Sequence, residues 1–364
     1  MWIIGKKNLE KKNPRIFNYR IGHILKILRN IKKFEKKLSA SYYIELLKKE
    51  VSNYYECDMG LVDRFFLLFP VKEVIEFMES NEKSRPLSIR LNTLREEKEK
   101  IYKKLTKRGI KLLFVKNFLN FISIVKKSEV VIGGSPEYLA GLYTVQGIAS
   151  SFPVISLCPR EGEKILDLAA APGGKSTFIS QIMKNSGIII ANDKSKERIK
   201  SLVNSIHRLS VTNSIVTNYN GVTFPFVMKG FDKVLIDAPC SGSGIISHDF
   251  TIKTKKTLNM LVSASLLQKR LLLAAIDSCK GNSSKDSHIV YSTCSVFIEE
   301  NESIIQYVIE RRNVKIVPTG LDFGMPGYTR YKNQFFDPKM KECRRFFPHI
   351  HNTDGFFICK LQKI

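Results

Sequence analysis

Five short apolar runs, interspersed with four stretches patterned as helices, restrict what residues 164–310 can fold into. The runs are Lys164 to Leu168, Gly187 to Asn192, Ser214 to Thr217, Lys233 to Asp237 and His288 to Ser292. Apolar residues at helical spacing mark Thr177 to Met183, Lys196 to Leu209, Leu258 to Ser278 and Glu299 to Glu310. Strands that are apolar along their whole length have no solvent face, and alternated with helices they predict a parallel sheet covered on both sides. The pattern changes late in the chain, where Asn352-Thr353-Asp354-Gly355 reads as a hairpin turn. That turn should return Phe356 to Leu361 as an antiparallel strand.

Two of the runs end on thiols. Cys240 follows the fourth, in Ile-Asp-Ala-Pro-Cys-Ser-Gly (residues 236–242), and Cys294 follows the fifth, in Tyr-Ser-Thr-Cys-Ser (residues 291–295). Free cysteine is commonly buried and inert, which is the reading for Cys57, Cys158, Cys279, Cys343 and Cys359. Cys240 and Cys294 differ because they end strands of the sheet that carries a loop of small residues, Asp-Leu-Ala-Ala-Ala-Pro-Gly-Gly-Lys-Ser (residues 167–176). Such a loop, between a strand and a helix, is where open α/β sheets take nucleotide-like ligands. It narrowly misses the P-loop pattern, since Ala169 replaces the first glycine and Pro172 stiffens the middle. Asp193 ends the next run 193 − 174 = 19 positions after Gly174, where a ribose-binding acid belongs. It could equally cap the helix beginning near Ser195, and the two roles are compatible. With no His or third Cys at ligand spacing near either thiol, neither a metal nor a disulfide is expected.

Lys and Arg number 59 against 34 Asp and Glu, a net charge of +25. A surface that positive points first to nucleic acid, with a Lys-rich background or an anionic lipid surface as plainer explanations. No apolar stretch of 18 residues is evident, so no membrane is expected. The seven scattered cysteines fit a reducing compartment. Residues 1–40 read as a basic arm that rides on phosphates, although a presequence would share their composition. Residues 41–135 open with two or three helices between Tyr42 and Glu79, broken at Pro70. They continue as short strands at Leu87 to Asn92, Ile110 to Val115 and Phe121 to Val125, with a Lys-rich helix from Glu96 to Arg108, a ferredoxin-like or RRM-like α+β module. Gly133, Gly134 and Pro136 mark its boundary with the unit of residues 136–364.

Three motifs in order, Asp-Leu-Ala-Ala-Ala-Pro-Gly-Gly-Lys, Asp-Ala-Pro-Cys-Ser-Gly-Ser-Gly and Tyr-Ser-Thr-Cys-Ser-Val-Phe-Ile-Glu-Glu-Asn-Glu, closely resemble those of the NOL/NOP/Sun (Fmu-type) RNA cytosine-5 methyltransferases. Arg-Arg-Phe-Phe-Pro-His-Ile-His-Asn-Thr-Asp-Gly-Phe-Phe (residues 344–357) is most similar to the eukaryotic nucleolar protein two branch. The resemblance implies a class I (Rossmann-like) methyltransferase domain over 136–364 and S-adenosylmethionine as cofactor. It implies that Ala169, Ala170, Ala171, Pro172, Gly173, Gly174, Lys175, Asp193, Asn220 and Asp237 hold that cofactor. Asn220 stands where the family usually has an acid, so a charge is lost there. A cytosine has no acidic C–H, so methylation at C5 needs a nucleophile at C6, for which a thiolate is suited. Spacing leaves open which thiol attacks; the resemblance assigns attack to Cys294 and release to Cys240, with Asp237 at the base's N3 and N4 edge. Arg90, Asn92, Lys175 and His349 are expected to touch RNA, and Arg344 and Arg345 could do so or be structural. Glu299, Glu300 and Glu302 read as the start of a helix, where carboxylates suit the dipole. Large-subunit rRNA within a pre-60S particle, a nucleolar location and a monomeric enzyme follow from the same resemblance. A ribosome-assembly factor with dispensable catalysis, or a tRNA methyltransferase, are the alternatives.

Overall fold

The computed structural model describes residues 14–30, 39–115, 121–255, 258–281 and 287–364, which form two compact units. The smaller gathers residues up to Ser84 with Ile245–Val262, and the larger joins Arg85–Gly244 to Ser263–Ile364. In the smaller unit, helices α1 (Pro14–Arg29), α2 (Ala40–Tyr55), α3 (Met59–Leu68) and α4 (Val71–Asn81) follow one another. Ser39 caps α2 by accepting from Tyr42 N, and Asp58 caps α3 by accepting from Gly60 and Leu61 N, so each start is written in the sequence. Phe65, Phe77, Val51 and Val74 are wholly buried between them. The expected basic arm is therefore partly a packed helix: Ile21, Ile24 and Ile27 of α1 are buried, and Arg20 lies 3.5 Å from Glu50. Residues 1–13 and 31–38 of that arm fall outside the described residues.

The larger unit begins with strands β1 (Ser88–Leu91), β2 (Lys111–Phe114), β3 (Ile122–Lys127) and β4 (Tyr143–Val145), with α5 (Lys98–Lys107) between the first two. They form an antiparallel sheet in the order β2-β3-β1-β4, and Ile89, Leu91, Ile101, Leu105 and Tyr143 are its core. By its contacts this sheet belongs with the unit that follows it.

Helix α6 (Ile148–Leu157) leads into β5 (Lys164–Asp167), α7 (Gly174–Ile182), β6 (Ile188–Asn192), α8 (Lys196–Arg208), β7 (Ser214–Thr217), β8 (Lys233–Asp237), α9 (Leu258–Ser278) and β9 (His288–Thr293). These five strands pair in parallel in the order β9-β8-β5-β6-β7. After α10 (Glu302–Ile309) come β10 (Val314–Val317), β11 (Met325–Pro326), the small ribbon of β12 (Arg330–Tyr331) and β13 (Gln334–Phe335), β14 (Arg344–Phe346) and β15 (Phe356–Lys363). Strand β15 is antiparallel to β9, with Ser292 opposite Ile358, as the late turn predicts. It is also paired antiparallel with β14 and with β10, neither of which the strand pattern signalled. The turn itself is longer than a tight hairpin, because Pro348–His351 forms a helical turn before Asn352 takes a left-handed conformation with φ 52°.

Against the expectation that no apolar stretch is long enough, Asn259–Ser278 in α9 could cross a bilayer by length and composition. The stretch tolerates Lys269, Arg270 and Asp277, and Leu272, Ala275 and Ile276 on it are core residues.

Candidate active site

The order of the parallel strands reverses at β5, with β6 and β7 on one side and β8 and β9 on the other. Loops leaving β5 and β8 therefore diverge and open a crevice above their carboxyl ends. A cavity of about 210 Å³ lies there, lined by Asp167, Ala169 to Pro172, Gly174, Lys175 and Asp237, with Val145 to Gly147 and Ser150 across from them. Gly173 holds φ +102°, a conformation that favours glycine, and turns the chain into α7. Gly174 has open space where a Cβ would stand, so the backbone is bare toward the cavity.

Asp167 is buried, and Ser176 Oγ donates to its Oδ2 at 2.6 Å while Oδ1 has no hydrogen-bond partner. Burial raises its pKa from 3.8 to about 6, opposed by the Ser176 hydrogen bond and the Lys175 charge. A buried carboxyl with a spare acceptor beside a cavity suits a cationic or ammonium group. Asp237 ends β8, and both its oxygens are engaged: Lys175 Nζ donates to Oδ2 at 2.6 Å and Ser292 Oγ to Oδ1 at 2.8 Å. Lys175 also reaches Ser150 Oγ at 3.1 Å. The two strand ends thus share one polar cluster.

The thiols meet beyond it. Cys240 Sγ and Cys294 Sγ are 3.3 Å apart, each half-buried, on the loops that leave β8 and β9. Contact with Cys294, then burial, push the Cys240 thiol well above its ordinary pKa. Gly244 N donates to Cys294 O at 2.9 Å and Gly355 N to Gly244 O at 2.8 Å, so the segment before β15 braces both loops. A Cβ on Gly355 would come 2.6 Å from Gly244 Cα and 2.8 Å from Val296 Cγ1, so that contact admits only glycine without backbone movement.

The other residues named from the sequence divide sharply. Asp193 is buried; its Oδ2 accepts from Ala171 N at 3.1 Å and its Oδ1 from Ser195 N at 2.9 Å, so it ties the small-residue loop to the start of α8. Asn220 is exposed, accepts from Val222 N at 3.1 Å and does not line the cavity. Arg90 and Asn92 are not placed to meet RNA: both are buried. Arg90 donates to Gln181 Oε1 at 2.9 Å and Thr177 Oγ1 at 2.7 Å, and Asn92 to the carbonyls of Gly141 and Leu209, each at 2.9 Å. They join β1 and β4 to α7 and α8, a structural task. Arg345 is buried in a bidentate pair with Glu302, both contacts 2.6 Å, and Arg344 donates to Leu321 O at 3.1 Å. His349 is half-buried, its ring centroid 5.8 Å from that of Phe347. Asp167 and Glu300 were missed. A carboxylate ending the first strand before a glycine loop was a usable signal for Asp167, whereas nothing in the local pattern separates Glu300 from a solvated helix start.

A sheet of this order, with a small-residue loop and a cavity at its reversal point, has the class I (Rossmann-like) methyltransferase architecture. Residues 154–362 match the family described as 16S rRNA methyltransferase RsmB/F, and the chain belongs to that family. It is 46% identical, over 94% of its length and 42% of the relative's, to the 28S rRNA (cytosine(4447)-C(5))-methyltransferase of Homo sapiens. It is 45% identical, over 95% of its length and 57% of the relative's, to the 25S rRNA (cytosine-C(5))-methyltransferase nop2 of Schizosaccharomyces pombe. The chain spans about half the length of these relatives. Among solved structures, a methyltransferase homolog protein from Pyrococcus horikoshii superposes with a TM-score of 0.78 at 32% identity, covering 90% of this chain and all of that one.

Proposed function

We propose that this chain methylates C5 of a cytosine in large-subunit ribosomal RNA, using S-adenosylmethionine and a covalent thiol adduct at C6. The observation that carries the reading is the Cys240–Cys294 contact at 3.3 Å, next to the Lys175–Asp237 pair at the cavity's edge. Methyl transfer to an unactivated ring carbon needs a nucleophile, a group at the base's polar edge and a means of release, and these residues supply all three.

The residues around the cavity suit the cofactor. The spare oxygen of Asp167 and the bare backbone at Gly174 fit an amino-acid ammonium group and a close-lying nucleoside, and S-adenosylmethionine when bound supplies an electrophilic methyl group. Ala169 to Lys175 and Asp237 would hold it; Asp193 would act by fixing the loop, and Asn220 stands aside.

On the nucleophile's side, the Cys294 thiolate forms a bond to C6, and the ring's C5–C6 π electrons move onto C5 and toward N3. Asp237, held by Lys175 and Ser292, is read as the acceptor for the N4 amino group and, once protonated, as the donor to N3 while that negative charge builds. Once C5 carries the methyl group, its proton passes to a base, the C5–C6 double bond re-forms and sulfur leaves. Cys240, in contact with the departing sulfur, is the residue for release.

The antiparallel sheet of β1 to β4 is read as an RRM-like module, and the charge of +25 supports RNA as the partner of a monomeric enzyme on a pre-60S particle in the nucleolus. The decisive experiment incubates the chain and its Cys240→Ala and Cys294→Ala variants with rRNA and cofactor. Cys240→Ala should accumulate a slow-migrating protein–RNA adduct, and Cys294→Ala should give none. Bisulfite sequencing after depletion must show a large-subunit cytosine losing its mark, and unchanged methylation at every such cytosine sinks the substrate assignment.

A further inference from the structure

Glu300 is fully buried, yet its hydrogen-bond partners are neutral. Its Oε1 accepts from Ser241 N at 2.8 Å and Gln268 Nε2 at 3.1 Å, and its Oε2 from Ser241 Oγ at 2.6 Å. Gln268 Nε2 also donates to Pro239 O at 2.9 Å. The peptides on both sides of Cys240 are thus held by one cluster, whose anchor lies six residues past Cys294, just before α10. A buried carboxylate satisfied only by neutral donors is costly, and such a group calls for a reason.

The thiol pair supplies one. Two thiols 3.3 Å apart cannot both ionise, because the second negative charge would lie against the first. The reactive form has lost one proton to water and shares the other between the sulfurs. The charged and titratable groups around Cys240 are Cys294, Glu300 and, toward the cavity, the Lys175–Asp237 ion pair, and Tyr291, whose hydroxyl donates to Glu300 O at 2.6 Å, lies behind them. Glu300 is bonded to the residue following Cys240, so its field penalises a negative charge on that sulfur.

We propose that Glu300 is a positioning residue: it fixes Cys240 against Cys294 and keeps the shared proton on Cys240, leaving the thiolate on Cys294. The proposal rests on the reading that Cys294 attacks, but its test needs neither RNA nor cofactor, so its failure would leave the substrate assignment standing. Carboxylate repulsion also contributes to the raised pKa of Cys240, after the Cys294 contact and burial.

The folded chain is alkylated with limiting iodoacetamide between about pH 6 and about pH 9, and each thiol is quantified by peptide mass spectrometry. Both residues are partly buried, so the comparison is made on the change in labelling ratio between variants, in which access common to all of them cancels. Cys294 should label first. Glu300→Gln, which keeps an acceptor for Ser241 N but removes the charge, should lower the Cys294-to-Cys240 ratio about tenfold, the equivalent of one pKa unit. Ser241→Ala removes one hydrogen bond and leaves the charge, so it should lower the ratio far less. A folded Glu300→Gln protein with an unchanged ratio overturns the proposal. Should that variant not fold, the unmodified chain still decides, since labelling of Cys240 ahead of Cys294 across the pH range overturns it equally.

Discussion

Replacing Asp167 by Asn should stabilise the chain in the absence of ligand while weakening its hold on the cofactor. The carboxyl is 1% exposed, and one of its oxygens makes no hydrogen bond. Burial lifts its pKa from 3.8 to about 6, so the folded chain holds that proton more tightly than the unfolded chain. The stability this brings is complete below about pH 4 and is lost as the pH rises through about 6. At about 1.4 kcal/mol for each pKa unit, ionised Asp167 costs roughly 3 kcal/mol at neutral pH. An amide keeps an acceptor for Ser176 Oγ and carries no charge. Urea denaturation of the two proteins at matched pH should show Asp167→Asn more stable by roughly 3 kcal/mol above pH 7, with the difference shrinking toward zero near pH 4. Titrating groups distant from residue 167 cancel in that difference. Added S-adenosylmethionine should then raise the midpoint of the unmodified chain more than that of the variant. A difference independent of pH, or a variant less stable at pH 7.5, would refute the account of Asp167.

Two further perturbations probe the frame around the thiols. Arg345→Met strands Glu302 as a buried, unpaired charge and should cost about 3–5 kcal/mol in chemical denaturation, much of it recovered when Glu302→Leu is added. Gly355→Ala drives a methyl group into Gly244 and Val296, so it should cost about 1–3 kcal/mol and lower methyl transfer more than cofactor binding measured by calorimetry.

Strands buried on both faces were the most legible elements. Lys233–Asp237 falls where its apolar run places it and His288–Thr293 extends its run by one residue, while Ser214–Thr217, a partly exposed edge strand, also matches its run. Both thiols were found for the same reason, since a strand's end fixes where the next residues point. Val314–Val317 escaped because four residues alternating with a lysine give too short a signal. Helix Ile148–Leu157, which carries Ser150 to the cavity, escaped because it is apolar nearly all round and contains Pro153, leaving no stripe to read. Arg90 and Asn92 show a different limit: the family resemblance assigns them to RNA, and only packing reveals that Gln181 and Thr177 already engage Arg90. Glu300 and Glu302 were hidden likewise, since their partners Ser241 and Arg345 are 59 and 43 residues away in sequence.

Strand β15 follows every other strand of the large sheet in sequence, yet it lies inside that sheet, between β9 and its two outer neighbours β14 and β10. During synthesis β9 must therefore wait with an open edge, next to the Thr-Cys loop, until residues 356–363 have been made. An unpaired apolar edge is a template for mispairing, so this interval is the point at which the nascent chain is most exposed to aggregation. Products terminated before Phe356 should accordingly be insoluble species, cleared by quality control, and not enzymes of reduced activity.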